Sequence, residues 1–323
     1  MAEIELKNVS KEYDLHTLGV RDIELVFPDG SITTVVGAAG AGKSTLLDMI
    51  GGIVDVTSGG IFSDGNRIDT LEPRRRDFCL MRSGECACSG SVRKNISYGL
   101  KLRRYAASET EVRTKEAAEL FGLTELFETK VKKLSELDRR RVSLARAAAR
   151  RPHAFLVDDP FFALSERREL ADDIKKLNEV TGITVIVASS FGEDAFLCGG
   201  RVVVMKEGRV IQTGSERELI DAPADMFVAA FVGEDPVGFI LGEEITGFRA
   251  SESHLGGEYK GLVTGSDDGV LTVKLNASDP PVRVLGVASV GDEITFGFDR
   301  GFVFDKVNGA LVQNNVKNIV QGS

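Results

Sequence analysis

Apolar residues follow two periodic patterns over the first 232 residues of the chain. Short runs rich in β-branched residues predict strands, and longer stretches with apolar positions three and four residues apart predict helices. Strands that alternate with helices indicate a parallel sheet covered by helices, which is the α/β class. We predict strands at 4–9, 23–27, 32–36, 154–157, 183–188 and 202–205, and helices at 44–50 and 164–180.

Two further regions depart from this alternation. Residues 91–151 are dominated by Ala, Leu, Glu, Lys and Arg at helical spacing, which predicts an inserted helical subdomain. After about Pro236 glycine becomes frequent and long helical patterns stop, which predicts a small β-barrel module. We therefore predict one domain over 1–235 and a second over 236–323, with β segments at 271–275, 282–285, 293–298 and 302–304.

Composition and charge narrow the class of protein. The chain has 42% hydrophobic and 28% charged residues, as in ordinary globular proteins, and we find no apolar run long enough to span a bilayer. Its first residues lack the pattern of a signal peptide, so we expect a cytoplasmic protein. The net charge of −9 argues against nucleic acid as a partner, because phosphate backbones select for excess Lys and Arg.

The four cysteines are too few and too unevenly spaced for a disulfide framework. Cys86 and Cys88 form a C-x-C pair, which leaves a metal site as one alternative. Because no second Cys or His pair lies nearby, reduced thiols are the interpretation we favour.

The segment after the strand predicted at 32–36 matches the phosphate-loop pattern G-x-x-x-x-G-K-[ST], between a buried strand and a helix. Backbone N–H groups of such a loop and the positive end of the helix bind phosphate oxygens. A Gly/Ala-rich turn that happens to carry a lysine is the alternative. We predict an ATP and Mg²⁺ site in which Lys43 meets the β- and γ-phosphates, Ser44 contacts Mg²⁺, and the loop comprises Gly37, Ala38, Ala39, Gly40, Ala41, Gly42, Lys43, Ser44 and Thr45.

Two other signals support this site. The apolar segment 154–157 ends at Asp158, the arrangement that holds the magnesium shell in nucleotide hydrolases. Tyr13 lies upstream of the loop, where its ring could stack on adenine, although plain packing is the alternative for a lone tyrosine.

These motifs together resemble the ATP-binding-cassette (ABC) ATPase family. The segment 134–147 is similar to the family's L-S-G-G-Q signature and the helix after it, and 161–165 to the loop after the magnesium strand. Segment 227–233 is similar to the segment that joins the ATPase to an accessory barrel in maltose-type importers, and segments 294–300 and 303–305 are similar to the end of that barrel. The resemblance implies a P-loop (RecA-like) core with a helical insert, an OB/TOBE-like barrel, and signature residues Ser135, Glu136, Leu137 and Asp138 that meet the nucleotide of a second subunit.

The chain departs from the family at its catalytic positions. Where the family has a histidine that senses the γ-phosphate, Ser190 follows the strand at 183–188. Because no glutamine precedes Gln212, the family's glutamine after the phosphate loop is absent, and Ser83 is its substitute. Asp159 replaces the glutamate that polarises the attacking water; a shift of about 1 Å in such a group can cost about 10²-fold in rate.

The signature and the loop after the magnesium strand are altered too. Glu136 and Leu137 replace the two signature glycines, and Ser165 replaces an aspartate. For each change taken alone, a neutral substitution without functional effect is the alternative. Together, beside an intact phosphate loop, the changes indicate a site that binds ATP and hydrolyses it poorly.

The resemblance implies a peripheral protein at the cytoplasmic face of the membrane. Our leading hypothesis is the degenerate half of a heterodimeric ATPase, paired with a different, intact ABC subunit. Two transmembrane permease subunits would dock near 83–91, and an extracytoplasmic solute-binding protein would take part indirectly. The solute class implied is carbohydrate or polyol phosphate. An active homodimeric ATPase and a non-transport regulatory ATP-binding protein are the alternatives.

Overall fold

The computed structural model describes residues 3–13, 18–82, 89–242 and 244–316. Their contacts divide the chain into two compact units, Met1–Thr213 and Gly214–Ser323. This division falls before the domain boundary predicted at 235/236, so the limits of the functional domains remain a prediction.

Strands and helices alternate in the first unit, as the apolar pattern predicts. Its strands are β1 (Ile4–Glu12), β2 (Leu18–Phe27), β3 (Ile32–Val36), β4 (Ser58–Ser63), β5 (Asn66–Arg67), β6 (Phe78–Arg82), β7 (Ala154–Asp158), β8 (Thr184–Ser189), β9 (Arg201–Lys206) and β10 (Arg209–Gly214). Its α-helices are α1 (Lys43–Gly51), α2 (Pro73–Arg76), α3 (Val92–Leu102), α4 (Ala107–Leu120), α5 (Glu136–Arg150) and α6 (Arg167–Thr181).

A six-stranded sheet with the order β10-β9-β3-β8-β7-β6 forms the centre of this unit. The pairs β3/β8, β3/β9, β7/β8 and β6/β7 are parallel. Strands β7 and β8 are buried throughout, which explains their continuous apolar sequences. Because parallel strands end at the same edge, the residues that follow β3, β7 and β8 converge there.

The two faces of this sheet are covered differently. Leu156 and Ile186 face a core that includes α1 and the antiparallel strands β1 and β2. Phe155 and Val185 face a second core, to which α3, α5 and α6 contribute. The helical insert predicted at 91–151 is thus formed by α3, α4 and α5, which pack on one face of the sheet.

The second unit begins with two short helices and continues as β structure. Its strands form two four-stranded antiparallel sheets, ordered β11-β12-β17-β18 and β15-β14-β13-β16, a barrel-like arrangement. The elements are α7 (Glu216–Asp221), α8 (Met226–Phe231), β11 (Gly238–Leu241), β12 (Ile245–Phe248), β13 (Ser253–Asp267), β14 (Val270–Lys274), β15 (Val282–Leu285), β16 (Glu293–Phe298), β17 (Gly301–Phe304) and β18 (Leu311–Val316).

The predicted fold class is confirmed, an α/β core with a helical insert and a C-terminal β module. Among the helices in the described ranges, none has the length and apolar character needed to cross a bilayer.

Candidate nucleotide-binding site

The phosphate loop lies between β3 and α1, at the edge where the parallel strands end. A side-chain carbon at Gly37 would lie 2.3 Å from the carbonyl oxygen of Met205. Gly42 has φ +98°, and a side-chain carbon there would lie 2.4 Å from the carbonyl oxygen of Gly19. Glycine is therefore required at both positions, by close backbone contact at each and by left-handed geometry at Gly42.

Lys43 is the first residue of α1, and its side chain is turned into the loop. Its Nζ donates to the carbonyl oxygens of Gly37 at 2.8 Å and Ala38 at 3.0 Å. Burial lowers the pKa of Lys43, while Asp159 and Asp158 act in the opposite direction. The ammonium group is thus held inside the loop, where phosphate oxygens could replace the two carbonyls as acceptors.

Ser44 and Asp158, the two predicted magnesium ligands, are in direct contact. The Ser44 hydroxyl donates to Asp158 Oδ1 at 3.0 Å. Burial raises the pKa of Asp158; the Ser44 hydrogen bond lowers it, Asp159 and Asp48 raise it, and Arg82 lowers it.

These oxygen ligands fit Mg²⁺ chemically. In the described part of the chain no group of three or more His, Cys, Asp or Glu side chains could hold a metal ion. A hydroxyl and one carboxylate suit Mg²⁺ only when substrate phosphates and water complete its octahedral shell. The residues therefore fit a metal that arrives with the nucleotide.

Tyr13 lies beside the loop with half of its surface exposed. Its hydroxyl is 3.2 Å from Thr45 Oγ1, and Lys11 Nζ lies 5.3 Å from the ring centroid. The ring is thus next to the phosphate loop and open to solvent, which is compatible with the predicted stacking on adenine.

Asp159 and Ser190 are joined directly. The Ser190 backbone N–H donates to Asp159 Oδ1 at 2.8 Å, and the Ser190 hydroxyl donates to Oδ2 at 2.9 Å. Asp159 has φ +46°, and its own N–H donates to the carbonyl oxygen of Ala188 at 2.9 Å. Both carboxylate oxygens are therefore engaged by one residue on the neighbouring strand end.

A second polar group lies beside Ser190 and carries no motif in the sequence. Asp194 is fully buried and accepts hydrogen bonds from Ser189 Oγ and from Arg167 at the start of α6. The Arg167 guanidinium also lies 5.8 Å from the ring centroid of Phe191, which stacks on Phe162 at 6.5 Å. The segments after β7 and β8 are therefore tied together by an ion pair and by stacked rings.

The signature residues make their polar contacts within α5. Ser135 Oγ accepts from the Asp138 N–H at 3.1 Å, which caps the helix, and donates to Asp138 Oδ2 at 2.8 Å. Glu136 pairs with Arg139 at 2.5 Å and with buried Arg140 at 2.9 Å, and Leu137 is buried. The negative charge of Glu136 is thus largely neutralised in place.

The remaining predicted residue, Ser83, lies outside the described residues, as do Cys86 and Cys88. Just before Ser83, strand β6 ends at Arg82, whose Nη2 is 2.5 Å from Asp48 Oδ1 on α1. No motif in the sequence marks this pair. A basic residue at the end of a predicted sheet strand beside the phosphate loop would have been the signal, but β6 itself was not predicted.

Comparisons with known proteins agree with this geometry. A family model described as ABC transporter matches residues 20–162. The sn-glycerol-3-phosphate import ATP-binding protein UgpC of Ruegeria sp. (strain TM1040) is 36% identical over 272 residues, which cover 82% of this chain and 77% of that protein. The trehalose import ATP-binding protein SugC of Mycobacterium tuberculosis (strain ATCC 25618 / H37Rv) is 36% identical over 74% of this chain, and the match spans 62% of that protein.

Solved structures of ABC transporter proteins are also similar to this chain. CbiO1 from Clostridium perfringens, part of the ABC transporter complex cbiONQ, matches with a TM-score of 0.61 and 26% identity, over 67% of this chain and 89% of that one. The ABC transporter cassette MJ0796, solved as a dimer, matches with a TM-score of 0.58 and 27% identity, over 66% and 98%. Its phosphate loop, its fold and its similarity to these relatives show that the chain belongs to the ABC transporter family of ATP-binding proteins.

Proposed function

We propose that this chain is the ATP-binding subunit of an ABC importer for a carbohydrate or a polyol phosphate. The relatives are named as ATP-binding proteins for the import of sn-glycerol-3-phosphate and of trehalose, which supports this solute class. The phosphate loop, Lys43 and the Ser44–Asp158 pair supply the groups that binding of ATP with Mg²⁺ requires. The chain then works at the cytoplasmic face of the membrane, attached through two permease subunits, with an extracytoplasmic solute-binding protein acting on the other side.

The chain is, in this proposal, the weakly hydrolytic half of a heterodimeric pair. The observation that carries this is the double hydrogen bond from Ser190 to Asp159. A base has to point toward the attacking water, and here two hydrogen bonds fix the Asp159 carboxylate against Ser190, with one acceptor site left on each oxygen. Asp159 is also one methylene shorter than glutamate, so its carboxylate reaches less far toward a water at the γ-phosphate.

A second subunit completes the site in this proposal. The resemblance to the ABC family implies that the signature meets the nucleotide of a second subunit, and the polar contacts of Ser135 and Glu136 lie within their own helix. Dimer formation by the related cassette MJ0796 supports pairing of two cassettes. We propose that the partner is a different cassette with an intact glutamate, and that the permeases dock near residues 83–91 and the helical insert.

The decisive experiment measures ATP affinity and turnover of the purified chain, alone and after co-expression with neighbouring transporter genes. We expect tight ATP binding, turnover well below about 1 s⁻¹ for the chain alone, and co-purification of a second cassette subunit with two permeases. Turnover typical of an active enzyme by the isolated chain would overturn the weakly hydrolytic assignment and favour an active homodimer. Failure of any permease to co-purify would favour a non-transport, regulatory protein.

Variants at Asp159 and Ser190 test the cause of weak turnover. Asp159→Glu combined with Ser190→His should raise turnover at least about tenfold, because a longer carboxylate is freed from the serine. Asp172→Glu, the same change on an exposed part of α6, is the matched control and should leave turnover unchanged. Equal turnover in the double variant and the wild type would show that the Asp159–Ser190 pair does not limit hydrolysis.

A further inference from the structure

Arg82 brings a positive charge to the edge of the sheet where the nucleotide site lies. It is the last residue of β6, and in the parallel β6/β7 register it lies opposite Asp158. Asp158 in turn accepts the Ser44 hydrogen bond. A guanidinium is therefore anchored one strand away from the carboxylate that fits Mg²⁺.

The partner of Arg82 lies on the phosphate-loop helix itself. Asp48 follows Ser44 by one helical turn on α1, and its Oδ1 is 2.5 Å from Arg82 Nη2. The Arg82 side chain is 33% exposed and the Asp48 side chain 13%. The pair is thus partly sheltered from solvent, which strengthens the action of its charges on the site, while about a third of the Arg82 side chain stays exposed.

The charges around the phosphate loop show what such a group can do. Asp158 and Asp159 act electrostatically on Lys43 of the loop, and Asp48 and Arg82 act on Asp158, so three carboxylates and two cations are coupled there. A triphosphate adds several negative charges, which Mg²⁺ and the cations must balance. Each fixed positive charge near Asp158 stabilises the bare nucleotide and disfavours a second cation at the metal position.

We propose that Arg82 is a specificity-determining residue that supplies part of the countercharge for the nucleotide phosphates and thereby lowers the dependence of nucleotide binding on Mg²⁺. The inference rests on the proposed nucleotide binding and is independent of how fast this chain hydrolyses ATP. Its measure is the ratio of two dissociation constants, the one in EDTA divided by the one in MgCl₂.

Two variants distinguish a charge role of the Arg82–Asp48 pair from a purely structural role. Arg82→Gln removes the positive charge, so the ratio should rise by about three- to tenfold. Asp48→Asn removes a negative charge and releases Arg82 toward the phosphates, so the ratio should fall by a similar factor. If the pair merely held β6 against α1, both variants would break it, and both would change the ratio in the same direction.

The experiment uses the full chain and an ATP analogue with an imido group between the β- and γ-phosphates, measured by titration calorimetry. The variants are Arg82→Gln, Asp48→Asn and their combination, in which the ratio should return close to the wild-type value. Arg74→Gln is the matched control, because Arg74 forms an exposed ion pair with Glu72 on a separate segment. Thermal unfolding without nucleotide confirms that each variant is folded.

The outcomes separate this inference from the proposed function. Opposite shifts of the two single variants support the role of Arg82. Shifts in the same direction, or no shift in either, overturn it while leaving the proposed function intact. Absence of nucleotide binding by the wild-type chain in both EDTA and MgCl₂ would overturn both.

Discussion

The hydroxyl of Ser44 donates to the carboxylate of Asp158 across 3.0 Å, although 114 positions separate the two residues in the chain. The bond joins the first turn of α1 to the end of β7. It places a hydroxyl and a carboxylate next to the phosphate loop before any nucleotide arrives. The phosphate site is therefore preorganised at its metal-binding side, which reduces the conformational cost of binding.

Lys43→Met should weaken ATP binding by at least about 100-fold, because two charge-assisted hydrogen bonds to phosphate oxygens are lost. The fold should persist, since methionine fills a similar volume and Ala38, whose carbonyl loses one of the two hydrogen bonds, is exposed. Titration with a fluorescent ATP analogue measures the effect. Lys7→Met, at an exposed lysine on β1, should bind as the wild type does. A loss of less than about fivefold in Lys43→Met would contradict the assigned role.

Tyr13→Ala should weaken ATP binding by about tenfold, because stacking of a base on an aromatic ring contributes about 1–3 kcal/mol. Tyr13→Phe retains the ring and loses only the contact with Thr45, so its affinity should remain within about twofold of the wild type. Inorganic triphosphate carries no base and should bind all three proteins equally. Equal loss of triphosphate and ATP binding in Tyr13→Ala would indicate that the tyrosine supports the loop instead of the base.

Arg167→Met should destabilise the first unit by about 2–3 kcal/mol, because buried Asp194 loses its cation. The value is below that for a fully buried pair, since Arg167 is partly exposed. Chemical denaturation measures it, and Arg217→Met, at an exposed ion pair on α7, should change stability by less than about 0.5 kcal/mol. A destabilisation equal to that of the control would contradict the structural importance of Asp194.

The stability deficit of Arg167→Met should also depend on pH. Burial raises the pKa of Asp194, against the lowering effects of Ser189 and Arg167. Without Arg167 that pKa rises further, so the folded variant holds a proton that the unfolded chain has released. Stability of the variant therefore increases as the pH falls from the raised folded pKa to the unfolded value near 4. The deficit relative to the wild type should shrink as the pH falls from the folded pKa of the variant to the folded pKa of the wild type, which is raised less, and should stay constant below it. Denaturation at several pH values would reveal this.

Gly52→Ala should destabilise the protein more than Gly65→Ala does. Both glycines have φ +76°, so both substitutions carry the same backbone strain of about 1 kcal/mol. A side-chain carbon at Gly65 meets nothing within 4 Å, whereas at Gly52 it would lie 2.6 Å from Arg76 Nε. We expect the free energies of unfolding of the two variants, measured by chemical denaturation, to differ by about 1–2 kcal/mol, the cost of displacing a buried guanidinium. Equal free energies of unfolding would mean that Arg76 can move without cost.

Secondary structure was predicted correctly from the sequence where it is determined by a local residue pattern. The phosphate loop and β3 were predicted at their observed bounds, because a continuous apolar strand and a fixed glycine motif are local signals. Strands β6 and β13 were not predicted. β13 contains several glycines and exposed charged residues and owes its strand conformation to pairing with β14 and β16, which sequence alone does not reveal.

In the candidate site, too, residues in local motifs were predicted and contacts between distant segments were not. The positions of Asp159 and Ser190 were predicted, but their mutual hydrogen bonds were not, because they depend on the register of β7 against β8. The Arg167–Asp194 and Arg82–Asp48 pairs carried no motif at all. The helix predicted at 164–180 begins at Arg167, because Ala163 adopts φ +55° and the chain turns before the helix starts.

Arg76 lies at the opposite end of α1 from the phosphate loop, buried and donating to the carbonyl oxygens of Met49 at 2.6 Å and Ile50 at 3.0 Å. Those carbonyls are the negative pole of the helix macrodipole, and a guanidinium there cancels much of it. At 1.5 Å per residue the two poles of this helix are only about 13 Å apart, so an uncancelled negative pole would weaken the field at the phosphate end. The attraction of the loop for an anion is therefore set in part by an arginine that never touches the anion.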